Sequence, residues 1–547
     1  MDCYAVSWLA NAADGTDMPD ATRFLQPRPR KMLPAKNELP RAERQNVASR
    51  LGLQVLGNPA ILTTILQTAG LDHRRSADIC SSLPESKYQS PLQWPLRKKL
   101  VILTGPYIAA ALAAYSAGAY ALASQPLRAR WNVTETEYAV GITLFVSGFG
   151  FVPMVLAPVS EAYGRYWVFV GAGAVFLLGT LGCALTASYA GMLVSRFVTG
   201  MGASVFATLT GGVVSDVFDR DHRNTPMALY SLMIMVGTGL GPLVSGSMVD
   251  SLGWRWIFYL QMIMIAATSA VILVLFQETR GNVILASLCH ELNKKMAEND
   301  ETCQLRFHSD VVQEKLDMGI IYRSFVFPLR LLISEPVVLC FSLWVSFAWA
   351  ILYMQFNSIG IVFRSVYEFS SRQVGLVYVA VVAASILSAA IAIAQDPVLR
   401  RIWPQRSTSN TPESRLLSTS VQSVLLLAGL FWFGWTSRPE IHWIFPVLAI
   451  GACTMGIFSI YLAVFNYLAD TYGRYSSSAQ AAQSMCRNLL AGIFPLFTHV
   501  MLRNLTYHGA GSLLGGLGLA LTAVPWLLSF FGPQIRAKSP FAKTVME

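Results

Sequence analysis

The 547-residue sequence has little charge: Asp, Glu, Lys and Arg make up only 13% of it, against 54% apolar residues. A soluble domain is about a quarter charged and under half apolar. It also lacks the interior volume to hide so much apolar side chain. Mean hydropathy is +0.46. These values exclude a string of soluble domains, and they equally exclude a disordered or collagen-like chain. Paired cysteines are missing too. The eight Cys, at positions 3, 80, 183, 289, 303, 340, 453 and 486, form no CxxC pair, which argues against a disulfide scaffold or a zinc ribbon. No Lys follows a Gly anywhere, so the GxxxxGK[ST] phosphate loop of a self-contained ATP-driven pump is absent. HExxH and GxSxG are absent as well, and His and Cys show no metal-ligand spacing. The chain is therefore expected to be no enzyme and to hold neither cofactor nor metal.

Long apolar runs, by contrast, are abundant. A hydrocarbon core of about 30 Å needs about 20 residues of helix. Twelve segments qualify: 100–124, 138–159, 166–187, 190–215, 227–249, 256–277, 336–358, 373–394, 416–436, 442–468, 480–502 and 510–531. No alternating barrel pattern is present, so the expected class is an all-α membrane protein with twelve transmembrane helices in two six-helix halves. The halves are expected at 100–277 and 336–531, with a central cytoplasmic loop at 278–335 and a C-terminal tail at 532–547. Residues 1–99 read as a largely disordered cytoplasmic tail without a signal peptide. Within that tail, Leu51–Leu71 carries no charge but contains Pro59 and several amides, and is expected to be a cytosolic helix or disordered. Charged, helix-like text lies around Leu292–Phe307.

The net charge of +10 could suggest nucleic acid, but its distribution follows topology. With the N-terminus inside, 32 of the 41 Lys and Arg fall on the inner side and 7 on the outer, with Arg196 and Arg487 inside spans. Both termini are thus expected in the cytosol.

The two halves echo each other. Ser215-Asp216-Val217-Phe218-Asp219-Arg220 follows the fourth span, and Ala469-Asp470-Thr471-Tyr472-Gly473-Arg474 follows the tenth. Pro242 and Pro495 then recur at nearly matching offsets, each before Leu. A duplicated bundle places a substrate site between the halves, near the midplane.

Several residues stand out. Glu161 and Arg165 flank the turn at Gly164, where opposite charges can lock one conformation or simply sit in solvent. Arg196 lies about two turns into span four, where a guanidinium costs about 3 kcal/mol unless it snorkels or has a task. The small residues Gly200, Gly202, Ala203 and Ser204 follow it and allow close helix contact. Span five carries Gly237, Gly241, Pro242 and Gly246, a packing face or a moving seam. Tyr353 and Asn357 share a face of span seven, and Tyr461 and Asn466 lie on span ten. These four are candidate walls for an amphipathic ligand, or ordinary packing. Arg487 sits near the inner end of span eleven and can snorkel. His499, near its outer end, is a candidate titrating group or a merely hydrogen-bonded one. Two sequons, at Asn132 and Asn504, fall in expected outer loops. No Asp or Glu falls mid-span, which argues against a polycationic substrate.

These residues resemble the major facilitator superfamily, and within it the fungal twelve-span drug:H+ antiporters. Glu161, Gly164 and Arg165 resemble the first conserved motif, with departures at Ala157, Ala162 and Tyr166. Arg196-x-x-x-Gly200-x-Gly202 resembles the second, whose arginine the resemblance assigns to proton transfer. Gly237-x-x-x-Gly241-Pro242-x-x-Ser245-Gly246 resembles the antiporter motif, with Ser245 replacing a glycine. Trp94–Lys99, Glu278–Gly281, Pro412–Leu416, Phe465–Tyr472 and Phe494–Phe497 resemble the branch of the cercosporin exporter and other secondary-metabolite efflux pumps. The resemblance covers residues 91–541. It implies alternating-access efflux of a small organic compound in exchange for protons, with Arg196, Glu161, Arg165, Asp216 and Asp470 in coupling or gating. The alternative on the same fold is a proton-coupled uptake permease, for a polyamine or a nutrient. The implied partners are a small-molecule substrate, protons and the lipid bilayer, with no nucleic acid. The implied unit is a monomer in the plasma membrane.

Overall fold

The computed structural model describes residues 50–51, 62–63, 66–67, 81, 83, 88–219, 222–299, 307–309, 318–402, 412–472 and 476–538. The chain divides into two units, Leu96–Glu278 with Lys315–Glu547, and Met1–Pro95 with Thr279–Glu314.

The larger unit carries the spans. Ten described helices are long and apolar enough to cross a membrane, and Val421–Thr436 adds a shorter apolar stretch. In order they are α1 (Leu96–Leu122), α2 (Glu135–Tyr163), α3 (Arg165–Leu185), α4 (Tyr189–Val217), α5 (Asn224–Ser251) and α6 (Arg255–Leu275). Then come α7 (Pro336–Ser365), α8 (Ser371–Val377 continuing as Val379–Ile402), α9 (Pro412–Thr436) and α10 (Ile444–Tyr472). The last segment, Ser476–Lys538, breaks at Thr506, where φ is 60° and ψ 171°. Its two arms are α11 and α12, so the expected count of twelve is met. The expected outer loop between the last two spans shrinks to this break, because nothing from Arg503 to Gly509 removes a backbone donor as proline would. Asn504, in one of the two sequons, thus sits on helix.

Small residues let these helices approach closely. A Cβ at Gly200 would strike the Phe145 backbone of α2, and one at Gly202 would strike Phe176 of α3, so α4 is wedged between them. Gly237 and Gly241 of α5 lie against the Ala111 and Tyr115 backbone of α1. The other side of α5 faces α8: a Cβ on Gly246 would lie 2.6 Å from Ser371 O and 3.0 Å from Gly375 Cα. The N-terminal half (α1–α6) therefore meets the C-terminal half (α7–α12) partly along a glycine seam. A second meeting line runs between α2 and α11. Thr143 Oγ1 donates to Gly492 O at 2.7 Å, and Asn488 Nδ2 donates to Phe149 O at 3.2 Å.

The smaller unit joins parts of the expected tail and central loop. Its helix Gly281–Asn299 starts earlier than the charged text suggested, because Leu285, Leu288, Leu292 and Met296 recur at helical spacing and bury together. Leu62 and Leu66, four apart in the uncharged stretch of the tail, bury in the same cluster. The Asn293 side chain clamps the Phe307 backbone through two hydrogen bonds of 2.8 Å, donating from Nδ2 to its carbonyl and accepting its N–H at Oδ1. Arg50–Leu51 and His308–Ser309 pair as parallel two-residue strands β1 and β2.

Candidate functional site

One end of the bundle carries the α2–α3 turn. There Gly164 has φ 103°, a conformation that side chains beyond glycine rarely adopt. A Cβ on Gly164 would also collide with the Glu278 carboxylate. That carboxylate follows α6 and accepts from the backbone N–H of Arg165 at 3.0 Å and of Tyr166 at 3.1 Å. It satisfies the open N-terminus of α3, where the helix dipole favours negative charge. Arg165 is buried and pairs with Asp216 of α4 at 3.1 Å, and it donates to Ser160 Oγ at 2.7 Å. Glu161 stands at 3.9 Å and is a third exposed. The closer and more buried ion pair of Arg165 is therefore the one with Asp216, and the one with Glu161 is the looser. Asp470 lies on α10, but its side chain falls outside the described residues, as do Arg220 and Arg474. Glu335, which the sequence reading did not single out, is fully buried before α7, where it accepts from the Tyr472 hydroxyl at 3.2 Å. The signal for it was Glu335-Pro336, an acid and a proline at a helix start.

Arg196 does not snorkel. It is fully buried, its guanidinium 4.5 Å from the Tyr120 ring and 4.2 Å from Phe145. It donates to Ser116 O at 3.1 Å and Gly141 O at 3.4 Å. Its partners are carbonyls and ring faces of α1 and α2, and Glu161 is not among them. Such cation–π contacts are worth about 0.5–2 kcal/mol each.

Arg487 is buried as well, where snorkelling was the open alternative. Its guanidinium lies 4.6 Å from Trp349, 5.1 Å from Tyr461 and 5.8 Å from Phe465. Trp349 and Tyr461 are themselves stacked at 4.9 Å. Depth was ambiguous from sequence because the aromatic faces come from α7 and α10, far away in the chain.

The four candidate cavity residues separate. Tyr353 is buried, within electrostatic reach of both Arg487 and Arg196. Tyr461 joins Arg487, as above. Asn357 lies one turn beyond Tyr353, donates to Pro495 O at 3.4 Å, and lines a cavity of about 310 Å³ at the opposite end of the bundle. Asn466 instead reaches Asn224 at the start of α5, 3.3 Å away, and bridges the halves near the Arg165 end. The cavity is also lined by Arg128, Glu135, Arg364 and His499. Glu135 is 2.6 Å from Arg128 and 3.1 Å from His499.

Two six-helix halves meeting partly on a glycine seam, each with a buried arginine, are the architecture of a membrane solute transporter. The Major Facilitator Superfamily model matches residues 107–495, and the chain belongs to that superfamily. It is 30% identical over 468 residues to Fluconazole resistance protein 1 of Saccharomyces cerevisiae, covering 83% of each chain. It is 29% identical over 428 residues to "Probable drug/proton antiporter YHK8" of the same organism, covering 77% of this chain and 82% of that one. Among solved structures, the proton:xylose symporter XylE shares the fold, with TM-score 0.57 at 13% identity over 80% of this chain and 97% of that one.

Proposed function

We propose that the protein is a proton-coupled exporter of a small amphipathic organic compound, working by alternating access as a monomer in the plasma membrane. The Arg165 end faces the cytosol, in line with the 32 to 7 distribution of basic residues. The observation that carries the reading is the seam of α5. Gly246 rests on α8 of the other half, while Gly237 and Gly241 rest on α1 of their own, which supports a reading in which the C-terminal end of the antiporter-like motif lies where the halves slide. The names of the relatives, one for fluconazole resistance and one for drug/proton exchange, support export. Arg165, Asp216 and Glu161, with Asp470 in the second half, gate the cytosolic end, and Arg196 takes part in proton coupling.

The chain has no nucleotide-binding loop, so the driving force is the proton gradient. One pH unit is worth about 1.4 kcal/mol per proton and 100 mV about 2.3 kcal/mol. Together they support roughly a 500-fold gradient of a neutral compound. The test compares cells that lack the protein with cells that overproduce it, profiling small molecules in cells and medium. Export predicts that overproduction depletes at least one compound from cells and enriches it outside. Accumulation inside cells that rises with expression would establish uptake and end this reading.

A further inference from the structure

We infer that the transported compound carries an anionic group, of the carboxylate kind, and that Arg487 binds it against the faces of Trp349 and Tyr461. This rests on the transporter reading above and names the substrate class of its central site.

Arg487 is only 2% exposed. Among the described residues its one hydrogen bond runs from Nη2 to Ser484 Oγ on its own helix, at 3.3 Å. Nε and Nη1 are buried and find no acceptor among them. A guanidinium cannot shed its proton inside a protein, so the charge is permanent. Burying such a charge calls for a partner of opposite sign. Arg196 differs in degree: two carbonyls from two other helices hold its Nε and Nη1, and Nη2 alone is left without an acceptor among the described residues. Arg487 has aromatic faces and a single hydroxyl, which leaves most of its donor fork available. A carboxylate matches that fork in shape and charge.

The surroundings fit a ligand with a ring. Trp349, Tyr461 and Phe465 give flat apolar faces. Tyr230, on α5 of the other half, comes within electrostatic reach of Arg487, so the site lies where the halves meet. One turn before Arg487, on the same helix face, the Gln483 amide is fully buried, and neither its nitrogen nor its oxygen has a partner among the described residues. It offers a donor and an acceptor beside the cation.

The route out has the same sign. From Tyr353, the next turn of α7 places Asn357 in the 310 Å³ cavity. There Arg128, Arg364 and His499 stand against one acid, Glu135. An amine would meet a cation at every stage of this path. An anion would find a partner at each.

The test is equilibrium binding to purified protein in nanodiscs, with three aromatic ring systems: benzene, naphthalene and pyrene. Each is offered as its carboxylate, its neutral carboxamide and its methylammonium analogue. The expected result is that the best carboxylate binds about tenfold or more tightly than its amide, with the ammonium weakest. Arg487→Gln should erase that preference, and Arg487→Lys should retain part of it. A cooperative thermal unfolding transition and monodisperse elution of Arg487→Gln are the check that the variant is folded. Equal or tighter binding of the amide or ammonium by the wild type would overturn the proposal. So would a carboxylate preference that survives Arg487→Gln. Binding at equilibrium has no direction, so a transporter that proved to work inward would leave this result standing.

Discussion

His499 Nε2 of α11 lies 3.1 Å from Glu135 Oε2 of α2, and the two residues belong to opposite halves of the bundle. The other Glu135 oxygen is 2.6 Å from Arg128, and Arg364 lines the same cavity. The contact ties α2 to α11 across the two halves and favours closure at this end. Both side chains are partly exposed, so the tie is modest, about 1 kcal/mol or less. Spin labels at the His499 ends of α2 and α11 should report a longer mean distance in His499→Ala than in the wild type. An unchanged distance would mean that this pair does not hold the end closed.

At the other end, the Arg165–Asp216 pair is buried, whereas Glu161 is partly exposed and farther away. Removing one partner of a buried pair strands the other charge, at a cost of about 3–5 kcal/mol. Removing an exposed partner costs about 1 kcal/mol or less. Thermal unfolding in detergent should therefore show a large loss for Arg165→Ala and little for Glu161→Gln. Equal losses would mean that Glu161 carries the lock after all.

Gly164→Ala tests the turn separately. The new Cβ meets the Glu278 carboxylate, and φ 103° is strained for alanine, at roughly 1–3 kcal/mol. Displacing Glu278 also exposes the N-terminus of α3. Gly171→Ala, inside α3 with open space around it, is the control and should unfold no more easily than the wild type.

The α5–α8 seam predicts a different kind of defect. A valine at Gly246 would press on Ser371 and Gly375 from the other half. The halves would be propped apart at the His499 end, while the N-terminal half packs as before. Export should fall at least about tenfold with near-normal membrane yield, since overpacking typically costs about 1–3 kcal/mol. Unchanged export by this variant would show that the seam stays still during transport.

The spans were legible because each needs only a run of apolar residues, a purely local property. Arg196 was legible for the same reason, as a charge amid such a run. Partners were harder. Arg165 meets Asp216 from 51 positions away and Glu278 from 113, and no local pattern links them. Asn357 and Asn466 looked like walls of one cavity because helix periodicity reports the face of a residue and not its depth along the bundle. The structure puts them near opposite ends. Arg487 shows the same gap: its burial depends on Trp349 and Tyr461, which only packing brings to it.

The anionic character inferred for the substrate has an electrical consequence. A proton entering against a neutral compound leaving moves one elementary charge per cycle. A proton entering against a monoanion leaving moves two, and both movements are favoured by an inside-negative potential. Near 60 mV, each charge multiplies the attainable gradient about tenfold. A potassium diffusion potential of that size across proteoliposomes should then raise the final gradient of an exported aromatic carboxylate about 100-fold at fixed pH. An amide carried by the same protein should gain about tenfold. Equal gains for the two would mean that the carboxylate crosses with its proton, as the neutral acid, and that Arg487 meets it only before that proton binds.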